Sequence, residues 1–109
     1  MHLTLRQLKI FEAVARHLSF SRAADELHLT QPAVSMQVRS LEEAAGLPLT
    51  EQVGKKIFLT EAGVELARHA RVVAQQLREA EEALAAMKGL RGGRLNIGVV
   101  STTKYFAPR

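Results

Sequence analysis

The stretch from residue 31 to residue 45 carries side chains that could recognise a DNA sequence. If it is helical, with about 100° per residue, Val34, Val38, Leu41 and Ala45 share one apolar face. The opposite side is mostly polar and holds Pro32, Met36, Arg39 and Glu43, with Ser40 beside them, Ala33 and Ser35 on the flanks and Gln31 at the leading end. Gln, Ser and Arg can bind base edges or phosphates, and Met and Pro can contact thymine methyl groups. A solvated amphipathic helix would look similar, so this face alone leaves both interpretations open.

A second candidate DNA contact lies in residues 47–59, where the helical period is lost. The segments LPLTEQ and KKIFLT flank Val53-Gly54, which predicts a two-stranded hairpin. The tip carries Lys55 and Lys56, whose charges could clamp phosphate or enter a minor groove. A solvated turn is the alternative interpretation.

No residue pattern predicts catalysis, a metal site or a cofactor site. The chain has no cysteine, and its four histidines show no ligand spacing. The glycines at 89, 92 and 93 follow no strand, so they do not form a dinucleotide loop. Two glutamate pairs, Glu42-Glu43 and Glu81-Glu82, are interpreted as solvated helix faces. We therefore expect a protein that is not an enzyme.

Composition sets the remaining limits. The 109 residues are 47% hydrophobic and 24% charged, with a net charge of +4, which is compatible with a polyanionic partner without requiring one. The chain shows neither a signal peptide nor a run of about 18–20 apolar residues. We therefore predict a cytoplasmic protein with no membrane partner.

Two further helices must position the candidate residues. Residues 4–18 follow a helical period, and Thr4 can cap that helix. Ser21 is a candidate N-cap for a short second helix, Thr30 for the third helix, and Gly46 is a candidate stop. Two short helices joined by about three residues, the second opening with polar side chains, are typical of a helix-turn-helix.

A long helix is predicted from a Thr60 cap to about Lys88. Its apolar residues repeat at alternating spacings of four and three, which is a heptad seam: Leu66, Ala70, Val73, Leu77, Ala80, Leu84 and Met87. This seam predicts a homodimer. One alternative is that the helix packs only on its own domain, and another is that the chain is a coiled-coil interaction module with no DNA role. Beyond a hinge at 89–93, residues 94–100 predict a strand without partners, so we expect a piece of a longer protein.

Residues 3–60 resemble the winged helix-turn-helix of LysR-type transcriptional regulators. The similar stretches are LRQLKIFEAVA, SFSRAADELHLTQPAVSMQVRSLE and FLTEAG, and RLNIGVV is similar to the first strand of the family's effector domain. More narrowly, TQPAVSMQVRSLEE, EQVGKK and VVSTTKYFAPR are similar to the CbbR-like subgroup, which controls Calvin-cycle carbon-fixation operons.

The resemblance implies a mainly α fold: a winged helix-turn-helix over residues 1–60, a dimerisation helix over 61–88, the hinge, and a truncated effector domain over 94–109. It also implies that Gln31, Pro32, Ala33 and Ser35 face the major groove. The full set of expected DNA contacts is Ser21, Arg22, Thr30, Gln31, Pro32, Ala33, Ser35, Met36, Arg39, Lys55 and Lys56. Many family members have Arg at the positions of Met36 and Gln52, and a Phe at that of Thr50.

The partners implied are a pseudo-palindromic double-stranded DNA operator, a second copy of the chain and, for the intact protein, a homotetramer and RNA polymerase. The missing effector domain would bind a small metabolite, with phosphorylated sugars or nicotinamide nucleotides as candidates.

Overall fold

The computed structural model of the protein describes the backbone of residues 1–92 and the side chains of residues 1–89. Four helices and one hairpin follow in chain order: α1 (Leu5–His17), α2 (Phe20–Leu27), α3 (Gln31–Ala45), β1 (Thr50–Val53), β2 (Lys56–Leu59) and α4 (Glu61–Gly92). The prediction of a mainly α winged helix-turn-helix followed by a long helix is confirmed. The predicted strand at 94–100 lies outside the described residues.

Local capping explains where α1 and α2 begin. Thr4 Oγ1 accepts a hydrogen bond from the backbone N–H of Gln7 at 3.1 Å, and the Gln7 side chain accepts one from the Thr4 backbone N–H. This reciprocal capping box satisfies two N–H groups that α1 would otherwise leave unpaired. The prediction that Ser21 caps α2 is wrong, because Ser19 has the extended backbone of a cap and accepts from the Arg22 N–H at 3.1 Å.

The third helix has the predicted ends. Thr30 Oγ1 accepts a hydrogen bond from the backbone N–H of Ala33 at 3.2 Å, and Pro32 falls in the first turn. Gly46 ends the helix in the left-handed region at φ 73°, and its N–H donates to the Glu42 carbonyl.

The buried core brings α1, α2 and α3 together. It contains most of the predicted apolar residues of α3, and its largest fully buried side chains are Phe11, Val14, Val34, Val38, Leu41 and Leu49. Leu49 comes from the segment between α3 and β1, so the core reaches the base of the hairpin.

The hairpin is antiparallel and closed by a tight turn. Val53 pairs with Lys56 across Gly54 and Lys55, and Gln52 pairs with Ile57. Gly54 adopts a positive φ of 64° in that turn, a conformation that costs glycine little. Because strand side chains alternate between faces, this register places Gln52 and Ile57 on one face and Val53 and Lys56 on the other.

The long helix α4 begins as predicted and extends further than predicted. Thr60 Oγ1 accepts a hydrogen bond from the Gly63 N–H at 3.0 Å, which caps its first turn. The helix continues to Gly92, so the predicted end near Lys88 is wrong by about one turn. A single glycine such as Gly89 costs a helix only about 1 kcal/mol relative to alanine, which is too little to stop it. Residues up to Gln75 form one compact unit, and the remainder of α4 belongs to a second unit.

No helix among the described residues combines the length and the apolar character needed to cross a membrane.

Candidate nucleic-acid interface

Side chains from α2, α3 and the hairpin line one open groove of about 580 Å³. Five of the predicted DNA contacts lie on this groove: Ser21, Gln31, Ser35, Arg39 and Lys55. They come from three separate elements, so the fold collects residues that are up to 34 positions apart. The groove is lined mainly by polar groups, and two of them, Arg39 and Lys55, carry positive charge.

The exposed face of α3 borders the groove. Gln31, Arg39 and Met36 are exposed, and the Met36 side chain is 60% accessible. Ser35 is half-buried between them and the core. This face therefore offers an amide, a hydroxyl and a guanidinium at successive turns, together with an apolar thioether. Groups of these types can hydrogen-bond to base edges and contact thymine methyl groups in a DNA major groove.

The remaining predicted contacts of α2 and α3 lie beside the groove rather than on it. Pro32 is exposed and Ala33 is half-buried in the first turn of α3. Thr30 uses its hydroxyl oxygen to cap that turn. Arg22 is exposed on α2, and its backbone N–H bonds to Ser19.

The two wing lysines differ in position. Lys55 lies in the turn and lines the groove, whereas Lys56 is the first residue of β2 and does not line it. The pairing of Lys56 with Val53 places both on the hairpin face that is turned away from Gln52. The sequence predicts one basic tip that contains both lysines, whereas in the structure only Lys55 of the two lines the groove.

Gln52 also lines the groove, on the strand that leads to the turn. Its side-chain amide donates a hydrogen bond to the carbonyl of Gly54 at 3.2 Å. The side chain thus supports the turn that carries Lys55. Two more groove residues, Ser19 and Thr50, were not among the predicted contacts. For Ser19, the sequence does contain a signal, because a serine two residues before Ser21 is an equally good N-cap candidate for α2.

The prediction that Glu42 belongs to a solvated helix face is wrong. Its Oε2 atom accepts hydrogen bonds from the backbone N–H groups of Leu49 at 2.8 Å and Thr50 at 3.3 Å. Glu42 is partly buried and lines the groove between α3 and the hairpin. Helical periodicity places Glu42 at the edge of the apolar face, but it cannot show which loop returns to it.

An ion-pair network fixes α2 against α1. Arg16 binds Glu12 at 2.9 Å and Glu26 at 2.6 Å, and His17 Nε2 lies 2.7 Å from the other oxygen of Glu26. Hydrogen bonds from Arg16 and, with a smaller effect, from His17 lower the pKa of Glu26 from 4.5 to about 2. Hydrogen bonds to Glu26 and Glu12 raise the pKa of Arg16 above its ordinary value. The network bridges the two helices that precede α3.

The predicted dimerisation seam of α4 divides into two parts. Leu66 packs against the core of its own unit, and Ala70 is only 1% exposed. The first part of the seam is therefore already covered within the chain, as the alternative interpretation expected. Val73 and Leu77 are half-buried, whereas Ala80, Leu84 and Met87 are exposed, with 66% of Leu84 and 50% of Met87 accessible.

In the part of the chain that the structure describes, no group of three or more His, Cys, Asp or Glu side chains could hold a metal ion.

Comparison with known proteins identifies close relatives over the whole chain. This chain is 60% identical over 109 residues to a RuBisCO operon transcriptional regulator of Allochromatium vinosum. The aligned region covers all of this chain and 36% of the relative. The chain is 59% identical over 105 residues to the HTH-type transcriptional regulator CbbR of Rhodospirillum rubrum, covering 96% of this chain and 35% of the relative. The chain thus spans about a third of the length of these relatives.

Solved structures show the same architecture. The DNA-binding domain of CbnR in a DNA complex superposes with a TM-score of 0.67 at 35% identity, over 78% of this chain and 99% of that one. The DNA-binding domain of BenM bound to catB site 1 DNA gives a TM-score of 0.66 at 30% identity, over 84% of this chain and 99% of that one.

The family model that matches describes the bacterial regulatory helix-turn-helix proteins of the lysR family, and it covers residues 5–64. These residues include α1, α2, α3 and the complete hairpin. Because the match spans more than half of the 109 residues, the chain belongs to the lysR family of bacterial regulatory helix-turn-helix proteins.

Proposed function

We propose that this chain is the DNA-binding part of a transcriptional regulator and that it recognises a specific double-stranded operator. The observation that carries the proposal is the shared groove, in which Gln31, Ser35 and Arg39 of α3 face the same opening as Lys55 of the wing. In this arrangement α3 enters the major groove and provides base contacts, while the wing contacts the backbone of the neighbouring minor groove.

The relatives support this proposal. The structures of CbnR and BenM named above are DNA complexes of domains with the same fold. A coiled-coil module without a DNA role is not favoured, because the match to the family covers the helix-turn-helix itself. The relatives are regulators rather than enzymes, and we propose no catalytic activity for this chain.

We further propose that the regulated genes are those of carbon fixation. The support is the 60% identity to a RuBisCO operon regulator, which extends over all 109 residues. The RuBisCO operon control region is therefore the first natural DNA to test.

The chain acts, in this proposal, as a dimer whose contacts include the exposed apolar residues of α4. Leu84 and Met87 leave an accessible apolar stripe that a second copy would cover. Residues 1–60 then form the DNA-binding domain, 61–88 the dimerisation helix, 89–93 the hinge and 94–109 the start of an effector domain. The intact protein would be a homotetramer that contacts RNA polymerase.

The test is a pair of salt titrations with the 109-residue chain. One duplex is selected by the wild-type chain from a random-sequence pool, and the other is a scrambled version of it. We expect tighter binding to the selected duplex, and log K should fall linearly with log salt on both. Equal affinity for the two duplexes would contradict sequence recognition. A second selection from fragments of the RuBisCO operon region tests the carbon-fixation proposal separately.

A further inference from the structure

We propose that Glu42 is a positioning residue for DNA binding, which holds the base of the wing at a fixed distance from α3. This inference rests on the proposed function, because it concerns the same groove. The distance and angle between α3 and the wing are determined by neither element alone.

The hydrogen bonds of Glu42 connect α3 to the point where the wing begins. Its Oε2 atom accepts from the N–H of Leu49 at 2.8 Å and from that of Thr50, the first residue of β1, at 3.3 Å. A carboxylate that accepts backbone N–H groups makes charge-assisted hydrogen bonds, which are stronger than neutral ones. Both bonds are partly buried, so water competes with them less than at the surface.

The other side of the same segment is held by Thr60. The Thr60 hydroxyl donates to the Pro48 carbonyl at 2.7 Å, and its N–H donates to the Leu49 carbonyl at 3.1 Å. Thr60 directly follows β2, so these bonds close the hairpin at its base. They do not involve α3. Thr60 therefore keeps the hairpin together, whereas Glu42 ties the closed hairpin to the recognition helix.

The length of the wing makes this tie important for the tip. The three steps from Thr50 to Val53, at about 3.3 Å each, and the tight turn beyond them place Lys55 roughly 12 Å from Thr50. A rotation of about 10° at the base therefore moves the tip by roughly 2 Å, which is enough to break a phosphate contact. A two-stranded hairpin is marginally stable alone, so it depends on such anchors for its orientation.

The experiment compares Glu42→Ala with Glu51→Ala in salt titrations on the selected duplex. Glu51 is exposed on β1 and pairs with Phe58, on the hairpin face turned away from Gln52 and the groove. The control therefore removes the same charge without removing the hydrogen bonds between α3 and the wing. We expect Glu42→Ala to lower the slope of log K against log salt by about one, and to weaken binding about fivefold at 0.15 M salt, as for one lost phosphate contact. Glu51→Ala should keep the wild-type slope.

A double-mutant cycle with Lys55→Ala separates positioning from general loosening of the fold. If Glu42 acts through the wing, adding Glu42→Ala to Lys55→Ala weakens binding less than twofold further. If Glu42→Ala instead weakens binding equally with and without Lys55, and leaves the slope unchanged, the inference is overturned.

Glu42→Gln is the second variant, and it keeps one side-chain oxygen that can accept from the Leu49 N–H. We expect faster hydrogen exchange at Leu49 and Thr50 and a slope between those of wild type and Glu42→Ala. Should Glu42→Ala fail to fold by circular dichroism, Glu42→Gln takes its place in the cycle. Faster exchange with a wild-type slope would overturn the inference. Equal binding of wild type to selected and scrambled duplexes would instead overturn the proposed function.

Discussion

Gly63 lies directly against the backbone of Leu49, so closely that a β-carbon at Gly63 would be 2.0 Å from the Leu49 carbonyl oxygen. Leu49 is buried, and Gly63 belongs to the first turn of α4, where its N–H donates to Thr60. The absence of a side chain at Gly63 allows α4 to begin immediately after the hairpin. The first turn of α4 and the base of the wing are therefore packed backbone against backbone.

Replacing Gly63 by Ala should destabilise the fold, because the nearest atom to the new methyl group is a backbone oxygen that cannot rotate away. Overpacking of this kind typically costs about 1–3 kcal/mol, which exceeds the usual gain of alanine over glycine in a helix. Thermal and urea unfolding measure the difference. The matched control is Gly89→Ala on the same helix, where nothing lies within 4 Å of a β-carbon. A stable Gly63→Ala variant would show that the two segments separate easily.

Gln31→Ala should reduce operator affinity selectively. Gln31 lies at the exposed start of α3 on the groove, and a side chain that makes two hydrogen bonds to one base contributes about 1–3 kcal/mol of discrimination. We expect that loss on the selected duplex and little change on the scrambled one. Gln37→Ala, at a half-buried position of α3 that does not line the groove, is the control. Equal losses of affinity on both duplexes would mean that Gln31 contacts the DNA backbone rather than a base.

Lys55→Ala and Lys56→Ala should differ, although each removes one positive charge from adjacent positions. Only Lys55 of the two lines the groove, so its loss should lower the salt slope by about one and weaken both duplexes similarly. Lys56→Ala should leave the slope close to that of wild type. Identical slopes for the two variants would mean that the hairpin presents both lysines to DNA.

Leu84→Glu should produce a folded monomer. The Leu84 side chain is largely accessible in one chain, so a charge there disturbs only an interface with a second copy. Sedimentation should show a wild-type dimer at micromolar concentrations and a monomeric variant with wild-type helix content. Leu66→Glu is the contrasting variant and should unfold, since Leu66 packs against the core. A wild-type monomer under these conditions would refute the dimer proposal.

Acid should weaken the connection between α1 and α2 through Glu26. Its pKa is about 2 in the folded chain against an ordinary 4.5. Its contribution to the free energy of unfolding is therefore complete above pH 4.5 and is lost as the pH falls from 4.5 to about 2. The Glu26 side chain is 38% exposed, which limits the effect to about 1 kcal/mol or less. The free energies of unfolding of wild type and Glu26→Gln should differ at pH 7 and become equal near pH 2. A constant difference across that range would argue against the ion pair.

Local sequence alone determined the helices and most of their ends. Thr4, Thr30 and Thr60 act as caps through hydrogen bonds to residues three positions away, so the pattern and the interaction lie in the same short stretch. The apolar face of α3 was equally predictable, because a period of 3.6 residues places Val34 and Val38 together in any packed helix.

Tertiary structure decided the features that depend on contacts distant in sequence or on a choice between similar residues. Ser19 and Ser21 offer the same hydroxyl, and the start of α2 at Phe20, which packs against the core, selected Ser19. Lys55 and Lys56 were separated by strand register, in which a shift of one residue exchanges the two faces. Glu42 gained its partners only when the chain returned seven and eight residues later, and periodicity carries no information about that return.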